Sequence, residues 1–208
     1  MTRTDAQPPN ASNWNLPNAL TTLRILLVPF FVWFLVAGGP FGHDSQAMRW
    51  AAFGVFAVAM LTDKLDGDIA RARGLITSFG KIADPIADKL LTGAAFVVLS
   101  MLGELWWWVT IMILVREWGI TLMRFVVIRY GVMAAGKGGK LKTVLQTIAL
   151  LVMILPLVPV VGAWWAWLGW FFMALALIST VVTGIDYVIK AWQLRRDALA
   201  AGRPVDNS

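Results

Sequence analysis

The chain has no cysteine, one histidine and two tyrosines among its 208 residues. Without cysteine there is no disulfide, no thiol nucleophile and no thiolate metal centre. His43 stands in a short Gly/Pro-containing loop and reads as a loop residue, so a zinc site built on histidines is excluded as well. Charge is also scarce: 14% of the residues are Asp, Glu, Lys or Arg, and 59% are apolar. A soluble domain is about a quarter charged and about half apolar. The net charge of +6 would suggest nucleic acid in a soluble protein. Here its distribution has a better explanation in membrane orientation, and no nucleic-acid partner is expected. The first fifteen residues are polar, include Pro8 and Pro9, and read as a disordered tail. The first apolar run begins late and no small-residue cleavage pattern follows it, so no cleavable signal peptide is expected.

What the chain does have is apolar length. Six segments can be drawn, from about Leu20 to Val36, Ala47 to Thr62, Pro85 to Leu102, Leu105 to Ile128, Val144 to Val161 and Trp164 to Ile189. Each is near the roughly 20 residues that a helix needs to cross about 30 Å of hydrocarbon. Backbone groups in lipid must be satisfied internally, so these are helices and not strands. The expected fold is an all-α polytopic membrane protein, a bundle of six transmembrane helices. The basic residues orient it. The N-terminal tail, the 63–84 and 129–142 connections and the C-terminal tail, with the helix ends beside them, hold all 18 Lys and Arg residues except Arg49 and Arg116. That side is cytoplasmic, with both termini inside. Trp106, Trp107, Trp108, Trp164, Trp165 and Trp167 then fall at the outer helix ends, where an aromatic belt belongs. A transporter built from repeated halves is disfavoured, because the halves show no convincing repeat.

The chemistry concentrates in TDKLDGDIARARGLITSFGKIADPIADKLL, which places Asp63, Asp66, Asp68, Asp84 and Asp88 within 26 of the 208 residues. Asp63 and Asp66 are i,i+3 and share one helix face; Asp84 and Asp88 are i,i+4 and share another. Four carboxylates gathered at a membrane surface repel one another unless a cation sits among them. Hard divalent ions are the natural partner, Mg²⁺ by default where phosphates are handled, and two ions can clamp a phosphoryl centre. Gly67 leaves room for a ligand beside Asp66, Gly80 permits close helix approach, and Arg71 can meet a phosphate.

The spacing resembles the CDP-alcohol phosphatidyltransferase signature, D-x2-D-G-x2-A-R-x8-G-x3-D-x3-D, with Asp63, Asp66, Gly67, Ala70, Arg71, Gly80, Asp84 and Asp88 filling all eight positions. The resemblance covers about residues 16–190 as one membrane domain, leaving 1–15 and 191–208 as cytoplasmic tails. It implies that Asp63, Asp66, Asp84 and Asp88 hold two divalent ions, Mg²⁺ with Mn²⁺ as the alternative. It further implies that Asp88 is also the catalytic base, and that Gly67, Arg71 and Thr77 contact the cytidine nucleotide of CDP-diacylglycerol. Asp68 is outside the pattern. The family also implies a multi-pass protein of the bacterial plasma membrane, an active site facing the cytoplasm, and a homodimer.

Two further stretches bear on the acceptor. NLPNALTTLRILLVP is similar to the opening of family members that use glycerol 3-phosphate, which puts Asn18, Thr21 and Arg24 at the cytoplasmic entrance of the first helix, with Asn18 and Thr21 toward the CDP-lipid. REWGITLMR followed by GGKLKT has the same resemblance. Arg116 and Glu117 are ionisable residues inside an expected span, so they should face the bundle interior and pair locally or act. Arg116, Arg124, Lys140 and Lys142 are the candidate cations for an acceptor phosphate. The alternative is a cardiolipin-forming member that accepts phosphatidylglycerol; an inositol-phosphate acceptor fits the first and fourth helices less well.

Overall fold

The computed structural model describes residues 16–73, 78–127 and 138–200. Among them all regular structure is helical: α1 (Leu16–Gly38), a 3₁₀ turn (Pro40–Gly42), α2 (Gln46–Arg73), α3 (Ser78–Met101), α4 (Trp107–Val127), α5 (Gly138–Ile154), α6 (Val158–Val161) and α7 (Trp164–Ala200). The six apolar segments are all helical, but the helices do not stop where the apolar runs stop. α2 continues eleven residues past Thr62, and α3 starts seven before Pro85. The expected 63–84 connection therefore shrinks to residues 74–77, which lie outside the described residues together with the 1–15 tail. α7 likewise runs into the expected C-terminal tail, as far as Ala200. The fifth segment is divided. Pro156 and Pro159 carry no N–H, so α5 ends at Ile154 and a single turn, α6, follows.

The chain forms two compact units, one of residues 1–98 with 154–156 and the other of 99–153 with 157–208. In the first, α1 packs along α2. Its buried positions Thr21, Arg24, Phe31, Leu35 and Gly38 follow an alternation of three and four residues, one stripe of a helix. Phe31 meets Phe56 of α2 with ring centroids 5.4 Å apart. Ala83, Ala87, Leu91 and Ala95 make the buried stripe of α3 at strict i,i+4 spacing, its first turns lined by small residues. The turn between α1 and α2 depends on Gly39, at φ +68°, where a Cβ would fall 1.9 Å from the Asp44 carboxylate. Ser45 then caps α2 by accepting the Met48 N–H at 3.4 Å. Arg49, fully buried, donates Nε to Ile154 O at 3.0 Å and Nη1 to Gly39 O at 3.2 Å. It thereby satisfies the last carbonyl of α5, which has no intrahelical partner, and ties the end of that helix to the turn after α1.

In the second unit α4 packs on α7. The buried stripe of α7 runs Gly169, Met173, Ala176, Thr180, Gly184, Tyr187 and Ala191. Trp165 Nε1 donates to Val152 O at 2.9 Å, and Trp106 lies against Trp170 at 4.6 Å between centroids.

α1 from Asn18 to Gly38 and α7 from Trp164 to Gln193 are long and apolar enough to cross a membrane. Their outward faces carry Leu26, Phe30 and Trp33, and Phe171, Ile178, Val182 and Ile185, all exposed. Apolar faces of that extent belong in lipid.

Candidate active site

The first unit gathers the carboxylates. Asp63 lies one position beyond the apolar part of α2, and Asp84 and Asp88 lie on the first half of α3 beside its alanine stripe. The small Ala83 and Ala87 let the α3 backbone pack closely, which brings their polar neighbours toward α1. Two residues of the α1 stripe reach them. Arg24 Nη1 donates to Asp63 Oδ1 at 2.5 Å, and Thr21 Oγ1 donates to Asp84 Oδ1 at 2.5 Å. Both donors are fully buried. Asn18, one turn earlier on the same stripe, is buried too.

Burial pushes the Asp63 carboxyl above its usual range; the Arg24 guanidinium pulls it down, and the nearby Asp84 charge raises it. Two carboxylates close enough to repel, each fixed by a donor on one oxygen, form an oxygen-only donor set of the kind that hard divalent cations require. The residues therefore fit such an ion. Among the described residues no group of three metal-ligating side chains is assembled. The backbone of Asp66, Gly67, Asp68 and Arg71 belongs to α2, but the side chains of Asp66, Asp68 and Arg71 and the surroundings of Gly67 lie outside the described residues, and Thr77 lies outside them altogether. The backbone carbonyl of Asp88 accepts from Thr92 Oγ1 at 2.8 Å.

The candidate acceptor cations belong to the second unit. Arg116 crosses to α7, donating Nε to Thr180 O at 3.1 Å and Nη2 to Thr183 Oγ1 at 2.7 Å. Its aliphatic stem lies against Gly184 of α7, where a Cβ would stand 3.4 Å from Arg116 Cγ, in ordinary van der Waals contact. Lys142, buried on α5, forms an ion pair with Glu117 of α4. The local pairing expected within REW is thus secondary: Arg116 Nη1 is 3.8 Å from the Glu117 oxygen that Lys142 binds. The side chains of Arg124 and Lys140 lie outside the described residues.

Sequence reasoning named Arg24 without assigning it a role and treated Arg49 only as an exception to the charge count. A signal was available for Arg24. It falls on the three-and-four stripe of an otherwise apolar helix, so it had to be buried, and a buried guanidinium needs acceptors, which the signature carboxylates at that level of the membrane supply.

A helical chain with lipid-facing apolar surfaces and a carboxylate site where its helices turn from apolar to polar defines a class of membrane-embedded enzymes. The chain belongs to the CDP-alcohol phosphatidyltransferase family, whose model matches residues 14–185; it is a transferase. It is 49% identical over 177 residues to the probable phosphatidylglycerophosphate synthase of Mycobacterium tuberculosis, covering 85% of this chain and 81% of that one. It is 37% identical over 189 residues to the CDP-diacylglycerol–glycerol-3-phosphate 3-phosphatidyltransferase of Bacillus subtilis, covering 86% of this chain and 96% of the relative. The Escherichia coli protein of the same name is 36% identical over 146 residues, covering 66% of this chain and 75% of the relative.

Proposed function

We propose that this enzyme is a phosphatidylglycerophosphate synthase, moving the phosphatidyl group of CDP-diacylglycerol onto glycerol 3-phosphate with release of CMP. The observation that carries the reading is the 49% identity, over 85% of the chain, to a relative bearing that name. The relatives named above do not favour the cardiolipin-forming alternative.

Asp63, Asp66, Asp84 and Asp88 are the candidate ligands of two divalent cations, Mg²⁺ or Mn²⁺. Held by these residues, such ions would neutralise charge on the diphosphate and acidify a nearby hydroxyl. Asp88 takes the proton of the acceptor hydroxyl, whose oxygen then attacks the phosphorus of the phosphatidyl group as CMP leaves. Asn18, Gly67, Arg71 and Thr77 bind the CDP-lipid; Thr21 contributes through the carboxylate that it holds. Arg116, Arg124, Lys140 and Lys142 form the basic surroundings of the acceptor phosphate. Arg116 and Lys142 already have protein partners, so direct contact falls first to Arg124 and Lys140.

The same reading makes residues 16–190 one membrane domain with six spans in a bacterial plasma membrane. Both termini and the aspartates face the cytoplasm, and the chain assembles as a homodimer. Support for the orientation is the confinement of 16 of 18 basic residues to one side. Purified protein should release CMP from CDP-diacylglycerol only when a divalent cation and glycerol 3-phosphate are both present. CMP release that is indifferent to glycerol 3-phosphate contradicts the proposal.

A further inference from the structure

We infer that α1 is the orienting scaffold of the metal site: Thr21 and Arg24 each hold one oxygen of a signature aspartate, so that the other oxygen is presented to the ion. The inference rests on the reading of Asp63 and Asp84 as metal ligands and adds residues outside the signature to that function.

The geometry is the same twice. Arg24 takes Oδ1 of Asp63 and Thr21 takes Oδ1 of Asp84, both at 2.5 Å. Among the described residues Oδ2 of each has no hydrogen-bond partner. A carboxylate rotating freely about its last torsion offers an ion either oxygen, both, or neither. A donor fixed on Oδ1 removes that freedom and leaves Oδ2 in one direction. Partners that orient metal ligands in this way typically change metal affinity by about 10–100-fold when removed.

The spacing sets the separation of the two ligands. Thr21 and Arg24 are i,i+3 on α1, so their Cβ atoms are about 5–6 Å apart. One turn of one helix therefore ties together an aspartate from α2 and an aspartate from α3, elements that contribute the two halves of the signature. Both donors, Thr21 and Arg24, are fully buried, so their side chains are held in place from the α1 side of the site. The two tethers also differ in charge. Thr21 is neutral and acts on orientation alone. Arg24 brings a positive charge to Asp63 and offsets part of the carboxylate repulsion in the metal-free protein.

Neither residue is a catalytic residue, since neither is argued to touch the reacting atoms. They are positioning residues, and the test reads metal binding without turnover. Mn²⁺ is titrated into the purified full-length chain in detergent, with no lipid substrate, and free Mn²⁺ is followed by its electron paramagnetic resonance signal. Thr21→Val removes the hydroxyl at nearly constant shape and should weaken Mn²⁺ binding about tenfold or more. Thr21→Ser restores the donor and should restore binding; Thr21→Ala, which also lacks the hydroxyl, should behave as Thr21→Val does and serves if that variant does not fold. Arg24→Gln should lower the melting temperature of the metal-free protein more than that of the Mn²⁺-loaded protein, because the ion replaces the lost charge. Native Mn²⁺ affinity in Thr21→Val or Thr21→Ala overturns the inference, as does a Thr21→Ser variant as impaired as Thr21→Val. Asp84→Asn separates the two levels. If it loses Mn²⁺ binding while Thr21→Val keeps it, the scaffold role fails and the ligand reading stands. If Asp84→Asn itself binds Mn²⁺ normally, the ligand reading fails.

Discussion

Replacing Lys142 by methionine keeps an unbranched side chain of similar length and removes the ammonium that pairs with Glu117. The lysine side chain is 6% exposed and that of Glu117 is 21% exposed, so the abandoned carboxylate is mostly out of solvent. Removing one partner of a fully buried pair costs about 3–5 kcal/mol. Glu117 keeps some access to water and has Arg116 Nη1 at 3.8 Å, which lowers the expected cost to about 2–3 kcal/mol. For a chain of this length each kcal/mol lowers the melting temperature by about 2–4 °C, giving a loss of about 4–12 °C. Glu117→Gln should cost a similar amount, since it strands the ammonium. The double variant should recover part of the loss, with a coupling of about 1–3 kcal/mol. The assay is thermal unfolding of purified protein in detergent at a fixed scan rate, read by tryptophan fluorescence. A neutral Lys142→Met, or single losses that simply add in the double variant, would refute the pairing. The same experiment separates stability from acceptor binding, because a drop in activity that follows the melting temperature is not a lost phosphate contact.

Other substitutions address the site directly. Asp63→Asn, Asp66→Asn and Asp84→Asn should each abolish CMP release by losing a metal ligand, while Asp68→Asn should stay within a few-fold of native; near-native activity in any of the first three removes that residue from the ligand set. Asp88→Asn should retain CDP-diacylglycerol binding and lose transfer, and parallel loss of both would make Asp88 chiefly a ligand. Arg124→Ala should raise the apparent KM for glycerol 3-phosphate about tenfold, equivalent to one charge-assisted contact of roughly 1.5–3 kcal/mol, with the KM for CDP-diacylglycerol nearly unchanged. A single cysteine at Ser45 should be labelled from outside intact cells and one at Ser78 should not; the reverse pattern inverts the topology.

Helix existence was legible because apolar length is the dominant physical demand of the bilayer, and each of the six runs contains a helix. Helix ends were not, because polar residues extend a helix as readily as apolar ones. The turns from Asp63 to Arg73 and from Ser78 to Asp88 carry the signature, and both are helix. The interruption after Ile154 was visible in Pro156 and Pro159, though its position depends on which carbonyls find partners. Val152 O and Ile154 O are taken by Trp165 and Arg49, two residues remote in sequence. The signature aspartates were readable from spacing alone. What holds them was not: the Arg24–Asp63 and Thr21–Asp84 bonds link residues 39 and 63 positions apart. Glu117 presents the same difficulty. Its neighbour Arg116 was the obvious partner, yet successive helix residues point in different directions, and the ion pair goes instead to Lys142 on another helix.

The most direct test of the proposed activity is the identity of the lipid made by purified protein. The chain is supplied with CDP-diacylglycerol, Mg²⁺ and, in separate reactions, glycerol 3-phosphate or phosphatidylglycerol, and the product is identified by mass spectrometry. Phosphatidylglycerophosphate formed from glycerol 3-phosphate, with stoichiometric CMP, is the expected result. Cardiolipin formed from phosphatidylglycerol, with no turnover of glycerol 3-phosphate, would contradict it.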